Sequence, residues 1–104
     1  MGEAVGIIEV FGLATAFAAA DAGCKAAQVT IENFDKNKPA NADALPVPLI
    51  VMIKFSGTIS DVRAAVAAAK QRAEELAGVV ATHEIASPEE DTEKMLRLSG
   101  MDKV

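Results

Sequence analysis

The sequence predicts an α+β fold in which a single four-stranded sheet is covered by two helices on one face. Four short runs are rich in β-branched residues, and two longer segments carry apolar residues at helical spacing. These six elements follow the order β-α-β-β-α-β, which is typical of the split βαβ, or ferredoxin-like, sandwich. A short helix is expected near the C-terminus. We expect one domain to span residues 1–104, because a chain of this length supports a single core.

The first strand and helix are predicted at residues 5–10 and from Gly12 to about Ala27. Five helical residues recur at steps of three and four and share a face that we expect to lie on the sheet, namely Leu13, Phe17, Ala20, Cys24 and Ala27. The rest of the helix is mostly alanine and glycine, and only Asp21 and Lys25 are charged. Because a solitary domain usually has a charged coat, this short and apolar surface indicates contact with another protein.

The second and third strands are predicted at residues 29–34 and 47–56. Alternation in the second strand assigns Val29, Ile31 and Asn33 to one side and Thr30, Glu32 and Phe34 to the other. In the third strand, the expected buried face comprises Val47, Leu49, Val51, Ile53 and Phe55. Between the strands, residues 35–46 combine asparagine, aspartate, lysine and two prolines without periodicity. Such a long loop in a compact domain indicates either disorder or function.

The second helix is predicted to start at Thr58, where Asp61 completes a capping box, and to stop at Gly78 in a left-handed conformation. Its apolar stripe comprises Ile59, Val62, Val66, Ala69, Ala73 and Leu76. A fourth strand follows at residues 79–85. We expect Ser87 to cap the tail helix, with Pro88 at its first position and its end near Leu98 before Gly100.

The composition excludes several classes of protein. The net charge is −5 and the ten basic residues form no stripe, so neither a nucleic acid nor an acidic membrane surface is an expected partner. The longest apolar run, residues 44–53, is too short to span a bilayer, and residues 1–6 lack a basic targeting region. We therefore expect a cytoplasmic protein. A single cysteine excludes an internal disulfide and a multi-cysteine metal site within one chain.

Candidate catalytic residues are few. His83, the only histidine, lies in a strand pattern that favours a buried or interfacial role, and Cys24 is expected to be an inert core residue. The acidic group at the tail helix is explained by the helix dipole and solvation better than by calcium binding, and it comprises Glu89, Glu90, Asp91 and Glu93. The sequence therefore predicts no enzyme, no cofactor and no metal site.

Three segments together resemble the bacterial microcompartment shell proteins of the single-domain, hexamer-forming kind. They are GIIEVFGLATAFAAADAGCKAAQV, IKFSGTISDVRAAVAAAK and VVATHEIASPEEDTEKML. The resemblance implies the BMC-domain fold, flat cyclic hexamers that tile into shell facets, and a central pore for small metabolites. It also implies that the partners are further copies of this chain and other shell proteins, and that the protein lies in a microcompartment shell in the cytoplasm.

The resemblance also assigns site residues. Lys25, with Asp21 four residues before it, matches the lysine at the edge between hexamers. Ser87 stands where the family commonly has an arginine, so we expect one edge contact to be missing. The family's pore-lining connection is short and glycine-rich, whereas here it is the long 35–48 segment. Its expected lining residues are Lys38, Pro39, Ala40, Asn41, Ala42, Asp43, Ala44, Leu45 and Pro46. Alternatively, this loop turns to one face of the hexamer.

The loop length is similar to that in shell proteins of glycyl-radical-type compartments, some of which hold an iron–sulfur cluster through pore-loop cysteines. This loop contains no cysteine, so we expect no cluster. Two other functions remain open at this stage. One is a small ferredoxin-like regulatory module that binds a ligand or partner with the 35–48 loop, and the other, less favoured, is an enzyme that uses His83.

Overall fold

The computed structural model of the chain describes residues 3–45 and 47–102. The elements in chain order are β1 (Ala4–Phe11), α1 (Leu13–Ala26), β2 (Thr30–Asn37), β3 (Ile50–Gly57), α2 (Ile59–Leu76), β4 (Val79–Ile85) and α3 (Glu90–Leu96). The four strands form one antiparallel sheet in the order β2-β3-β1-β4, so β2 and β4 are its edges. The predicted β-α-β-β-α-β order and the short C-terminal helix are confirmed.

Helices α1 and α2 lie side by side on one face of the sheet. Their buried faces consist mainly of small residues, which are Ala16, Ala19, Ala20 and Gly23 in α1 and Ala65, Ala69 and Ala73 in α2. A Cβ atom at Gly23 would lie only 2.7 Å from Cζ of Phe55 and 3.1 Å from the carbonyl oxygen of Ala65. Only glycine therefore permits this approach. The sheet contributes the larger buried side chains Ile8, Val10, Val51, Ile53 and Phe55.

The predicted inner face of α1 is wrong for Leu13, Phe17 and Cys24, whereas the burial of Ala20 is confirmed. Leu13, Phe17 and Cys24 are exposed, and the buried residues of the helix are Thr15, Ala16, Ala19, Ala20 and Gly23. The small residues point inward because they let α1 approach the sheet and α2 closely, and this close approach buries more apolar surface. The larger side chains are left at the rim of the helix layer.

The alternation predicted for the second strand is also wrong. Ile31 pairs with Phe55, but Asn33 already pairs with the next residue, Lys54, so an irregularity in β2 shifts the register. Directly opposed residues of an antiparallel pair share a face, so Ile31 and Phe34 both face the helices. The strand also extends to Asn37, beyond its predicted end.

The third strand begins at Ile50, later than predicted, although the burial of Val51, Ile53 and Phe55 is confirmed. The connection before it contains one 3₁₀ turn, Ala42–Ala44. Pro46, which we predicted to line the pore, lies outside the described residues.

The predicted start of α2 at the Thr58 cap and its stop at Gly78 are confirmed. The Asp61 N–H donates to Oγ1 of Thr58 at 3.1 Å, and the Thr58 hydroxyl donates to the Asp61 carboxylate at 3.0 Å. Gly78 has a φ of +111°, as expected for a left-handed stop. Along the predicted stripe, Val62, Val66, Ala69 and Ala73 are buried. Leu76, the last helical residue, is exposed, so its predicted burial is wrong.

The predicted cap of the tail helix is wrong. The N-cap of α3 is Glu89, whose carboxylate accepts from the Asp91 N–H at 3.0 and 3.1 Å, and Ser87 is exposed. Helix α3 ends at Leu96, two residues earlier than expected. Asn33 and Lys54 of the sheet donate hydrogen bonds to the carbonyl oxygens at this point. These carbonyl groups therefore have partners without a further helical turn.

Candidate assembly surfaces and pore segment

The two ends of the strands carry different candidate sites. At one end, the Gly12 N–H donates to the Leu49 carbonyl at 2.8 Å and the Phe11 N–H donates to the Gly78 carbonyl at 3.4 Å. The connection between β2 and β3, which holds the predicted pore residues, therefore lies at this end. At the opposite end, Ala4 pairs with Gly57 and Val5 pairs with Ile85. The end of α1 and the segment after β4 belong to that opposite end, which we call the outer end.

The predicted edge residues lie at the outer end and are exposed. Lys25 Nζ lies 2.7 Å from Asp21 Oδ2, one helical turn away, and their side chains are 77% and 61% exposed. Ser87 is exposed in the segment that follows β4. An ion pair so open to solvent contributes little to the stability of the protomer. Stability alone therefore does not explain this pair.

The predicted pore segment is partly anchored and partly open. Ala42 is buried and its N–H donates to the Pro39 carbonyl at 3.0 Å, which begins the 3₁₀ turn. Pro39 and Leu45 are half-buried, and the exposed members of the predicted lining are Lys38, Ala40, Asn41, Asp43 and Ala44. Two charges of opposite sign, on Lys38 and Asp43, are thus accessible at this end of the fold.

An apolar groove runs along the β2 edge, between α1 and β2. It is lined by Phe17, Ala20, Asp21, Cys24, Ile31 and Phe34. The rings of Phe17 and Phe34 pack at a centroid distance of 4.9 Å and an angle of 58°, yet Phe17 remains 59% exposed. At the opposite edge of the sheet, Leu76 of α2 and Val80 of β4 are also exposed. Large exposed apolar side chains at both edges are typical of an interaction surface.

Sequence reasoning missed this groove because it assigned Phe17 and Cys24 to the core and placed Ile31 and Phe34 on opposite sides of the strand. The available signal was the size contrast within α1, where a few large residues stand among alanines. Cys24 is exposed, so its assignment to the core is wrong. Partial burial in the groove raises the pKa of the Cys24 thiol, and the nearby negative charge of Asp21 raises it further by a smaller amount. A raised pKa lowers the fraction of reactive thiolate.

The remaining candidate residues form no catalytic cluster. His83 is exposed on the edge strand β4, so of the two predicted roles burial within the protomer is wrong, and an interfacial role stays a prediction. Glu89 serves as the cap of α3, and Asp91 lies 3.6 Å from Lys94 Nζ in an exposed ion pair. Within residues 3–45 and 47–102, no three His, Cys, Asp or Glu side chains come together in a group suited to a metal ion.

The model of the BMC domain matches residues 4–88 of the chain. The chain belongs to the BMC-domain family of microcompartment shell proteins. Carboxysome shell protein CcmK1 of Thermosynechococcus vestitus is 36% identical over 98 residues, which are 92% of this chain and 79% of the relative. Bacterial microcompartment shell protein PduA of Salmonella typhimurium is 33% identical over 94 residues, or 90% of each chain.

A solved microcompartment protein of Desulfitobacterium hafniense superimposes with a TM-score of 0.69 at 24% identity. The match covers 93% of this BMC-domain chain but 48% of the solved chain, so our chain spans about half the length of that protein. At this level of identity the likeness supports the fold alone.

Membership in the BMC-domain family decides the general function. The protein is a structural component of a bacterial microcompartment shell and not an enzyme, as the sequence predicted. In the part of the chain that the structure describes, no helix has the length and apolarity needed to cross a membrane. The family also favours a shell component over the alternative of a small regulatory module.

Proposed function

We propose that this BMC-domain protein, a single domain over residues 1–104, forms cyclic hexamers that tile into facets of a microcompartment shell and pass small metabolites through a central pore. The observation that carries the proposal is the pair of exposed apolar surfaces at opposite edges of the sheet. Phe17 and Ile31 mark one surface, and Leu76 and Val80 mark the other.

These two surfaces differ from each other, so contact between them on neighbouring copies is heterologous. A heterologous contact closes into a ring when its rotation divides a full turn. Repeating the contact between the α1–β2 edge of one copy and the α2–β4 edge of the next also covers both open strand edges of the sheet. Uncovered edges are otherwise a risk for aggregation, so ring closure removes a liability of the single protomer.

In such a ring, the 38–46 segment approaches the central axis. The support is its position at the end of the sheet opposite Lys25 and Ser87, together with the resemblance. Each charge that faces the axis is present in six copies, and a ring of like charges selects ions of the opposite sign. Asp43 at the axis favours cations, and Lys38 at the axis favours anions. We include Pro46 among the proposed pore-lining residues of this segment.

The outer end then forms the perimeter of the hexamer. We propose that Lys25 and Asp21 lie at the contact between hexamers, where the short side chains around Lys25 leave room for a neighbouring lysine to lie flat. Ser87 occupies the position of the family's edge arginine. A serine there removes a long donor, so this contact is weaker or uses other groups.

The partners proposed for the tile are other copies of this chain and other shell proteins of the same microcompartment, within the cytoplasm. The length of the 35–48 connection is the only support for a compartment of the glycyl-radical type. The relatives named above are a carboxysome shell protein, CcmK1, and a bacterial microcompartment shell protein, PduA.

The tiling role is tested with Lys25→Ala. We expect hexamers to remain intact in native mass spectrometry, because the side chain lies at the outer end and not at the ring-forming edges. Extended sheets in negative-stain electron microscopy should decrease by about tenfold or more, because loss of a repeated contact is multiplied over the lattice.

Lys94→Ala is the matched control, since Lys94 also forms an exposed ion pair within a helix, with Asp91. This variant should form both hexamers and sheets as the natural protein does. Loss of the hexamer in Lys25→Ala would show that Lys25 lies at a ring contact. A monomeric natural protein at high concentration would contradict the tile itself.

A further inference from the structure

A charged side chain is buried in the sheet on the face opposite α1 and α2. Lys54 lies in β3, and its side chain is 5% exposed. Strand β3 has neighbours on both sides, so this ammonium group sits away from the edges of the sheet. Burying a charge is costly unless several polar partners surround it. Neither the proposed ring contacts nor the pore explains why a lysine occupies this position.

The partners of Lys54 belong to the C-terminal segment. Its Nζ donates to the carbonyl oxygens of Leu96 at 3.0 Å and Leu98 at 2.7 Å, and it lies 3.6 Å from Asp35 Oδ2. The last carbonyl groups of any helix lack partners within the helix. Lys54 supplies these partners for α3 with charge-assisted hydrogen bonds, which are stronger than neutral ones.

Three further side chains attach the same segment to β2. Asn33 Nδ2 donates to the carbonyl oxygens of Leu96 and Arg97, both at 3.0 Å. The Gly100 N–H donates to Asp35 Oδ1 at 2.8 Å, and the Ser99 hydroxyl donates to the Phe34 carbonyl. The structure therefore holds residues 96–100 through a cluster of polar contacts between positions more than 40 residues apart in sequence.

Apolar burial contributes little to this attachment. No residue of helix α3 is buried, and Met95 and Leu98 are among the most exposed large apolar residues of the described chain. A cavity also lies between α3 and the sheet, lined by Glu3, Val5, Glu32, Ser56, Glu93, Leu96 and Arg97. Residues 90–102 thus rest on the sheet without sharing the hydrophobic core formed under α1 and α2.

We infer that residues 90–102 form a strap that can detach from the sheet while the core stays folded, and that Lys54 is the latch that holds it closed. When the strap leaves, water reaches the Lys54 ammonium and Asp35 remains beside it, so no unpaired charge is left buried. Opening is therefore a local event of the kind that polar, weakly packed segments undergo. The strap covers one broad face of the protomer, and its opening uncovers that face.

The test is hydrogen–deuterium exchange of the full chain carrying Lys54→Met, a change that keeps an unbranched side chain, shorter by the terminal amino group, and removes its charge. We expect amides of residues 96–102 to exchange about tenfold to a hundredfold faster, as is typical when hydrogen bonds to a charged group are lost. Amides of β1 and β3 should keep their natural rates. Lys36→Met, at an exposed lysine on β2, is the matched control and should change neither region.

Equal acceleration in the strap and in β1 would overturn the inference, because Lys54 would then support the whole fold. Unchanged exchange in the strap would overturn it as well. If Lys54→Met does not fold, Asn33→Ala tests the inference instead, since it removes two hydrogen bonds to the strap and leaves the Lys54 ammonium group in place. Selective acceleration of residues 96–102 in that variant supports a separable strap, and uniform acceleration contradicts it.

Discussion

Replacing Phe17 by alanine tests the ring contact directly. Phe17 is 59% exposed in the protomer. A phenylalanine side chain presents about 200 Å² of surface, so a neighbouring copy seated on the groove would cover about 120 Å² of this residue. At about 25 cal/mol per Å², that burial stabilises each contact by about 3 kcal/mol. The dissociation constant of each contact should therefore rise by about two orders of magnitude in Phe17→Ala.

The protomer itself also loses stability. About 80 Å² of the Phe17 side chain is covered within the chain, which contributes about 2 kcal/mol, and the aromatic pair with Phe34 adds about 1 kcal/mol. We expect the variant to remain folded by circular dichroism with a melting temperature lowered by roughly 10 °C or more, so association is measured well below that temperature. Sedimentation velocity over a concentration series should show hexamers replaced by smaller species at concentrations where the natural protein is fully assembled.

Met95→Ala is the control for this experiment. Met95 is 66% exposed, but it lies on α3 and away from both proposed ring edges. Its removal should leave the assembly unchanged. A folded Phe17→Ala that sediments as the natural protein does at every concentration would refute the proposed contact. Dissociation of Met95→Ala to the same extent would show that the effect is not specific to the groove.

Two further predictions concern α1. Gly23→Ala should lower the free energy of unfolding by about 1–2 kcal/mol in chemical denaturation, because the overlap with Phe55 costs more than the gain of about 1 kcal/mol in helix propensity. Cys24 should react with iodoacetamide more slowly at pH 8 than a free cysteine, because burial and Asp21 raise the pKa of its thiol. Asp21→Asn removes the negative charge, so it should lower this pKa and speed the reaction, measured in the dissociated Phe17→Ala background.

Each of these predictions has a clear contrary outcome. A more stable Gly23→Ala would mean that the two helices can separate slightly without loss, and Ala26→Gly, at an exposed position of α1, indicates the cost of helix propensity alone. An unchanged pH profile of alkylation in Asp21→Asn would show that this carboxylate does not influence the thiol.

Elements whose residues carry their own local signal were predictable. Thr58 and Asp61 form a cap within four residues of sequence, and Gly78 adopts the positive φ that a helix stop requires. The bounds of β4 agree with its alternating pattern. In each of these cases, the interacting groups are close in sequence, so the pattern and its physical cause are visible together.

The face of α1 was not predictable from periodicity. Large and small apolar residues both recur at helical spacing on this helix, and hydrophobicity alone favours the larger ones for burial. The buried face depends on how closely α1 can approach α2 and the sheet. Close contact with Phe55 and Ala65 is possible only when the face of α1 that carries Gly23 is turned inward. The groove at Phe17 is a consequence of that choice.

The sequence by itself determined the order of the elements, the cap and stop of α2 and the family, because these depend on neighbouring residues and on segments that resemble those of known shell proteins. Tertiary structure alone decided which side of α1 is buried, where β2 shifts its register, and why Lys54 is a lysine. These features depend on contacts between residues far apart in the chain, such as Lys54 with Leu96 and Asn33 with Arg97. Only the folded chain brings such groups together, so no local sequence pattern predicts these contacts.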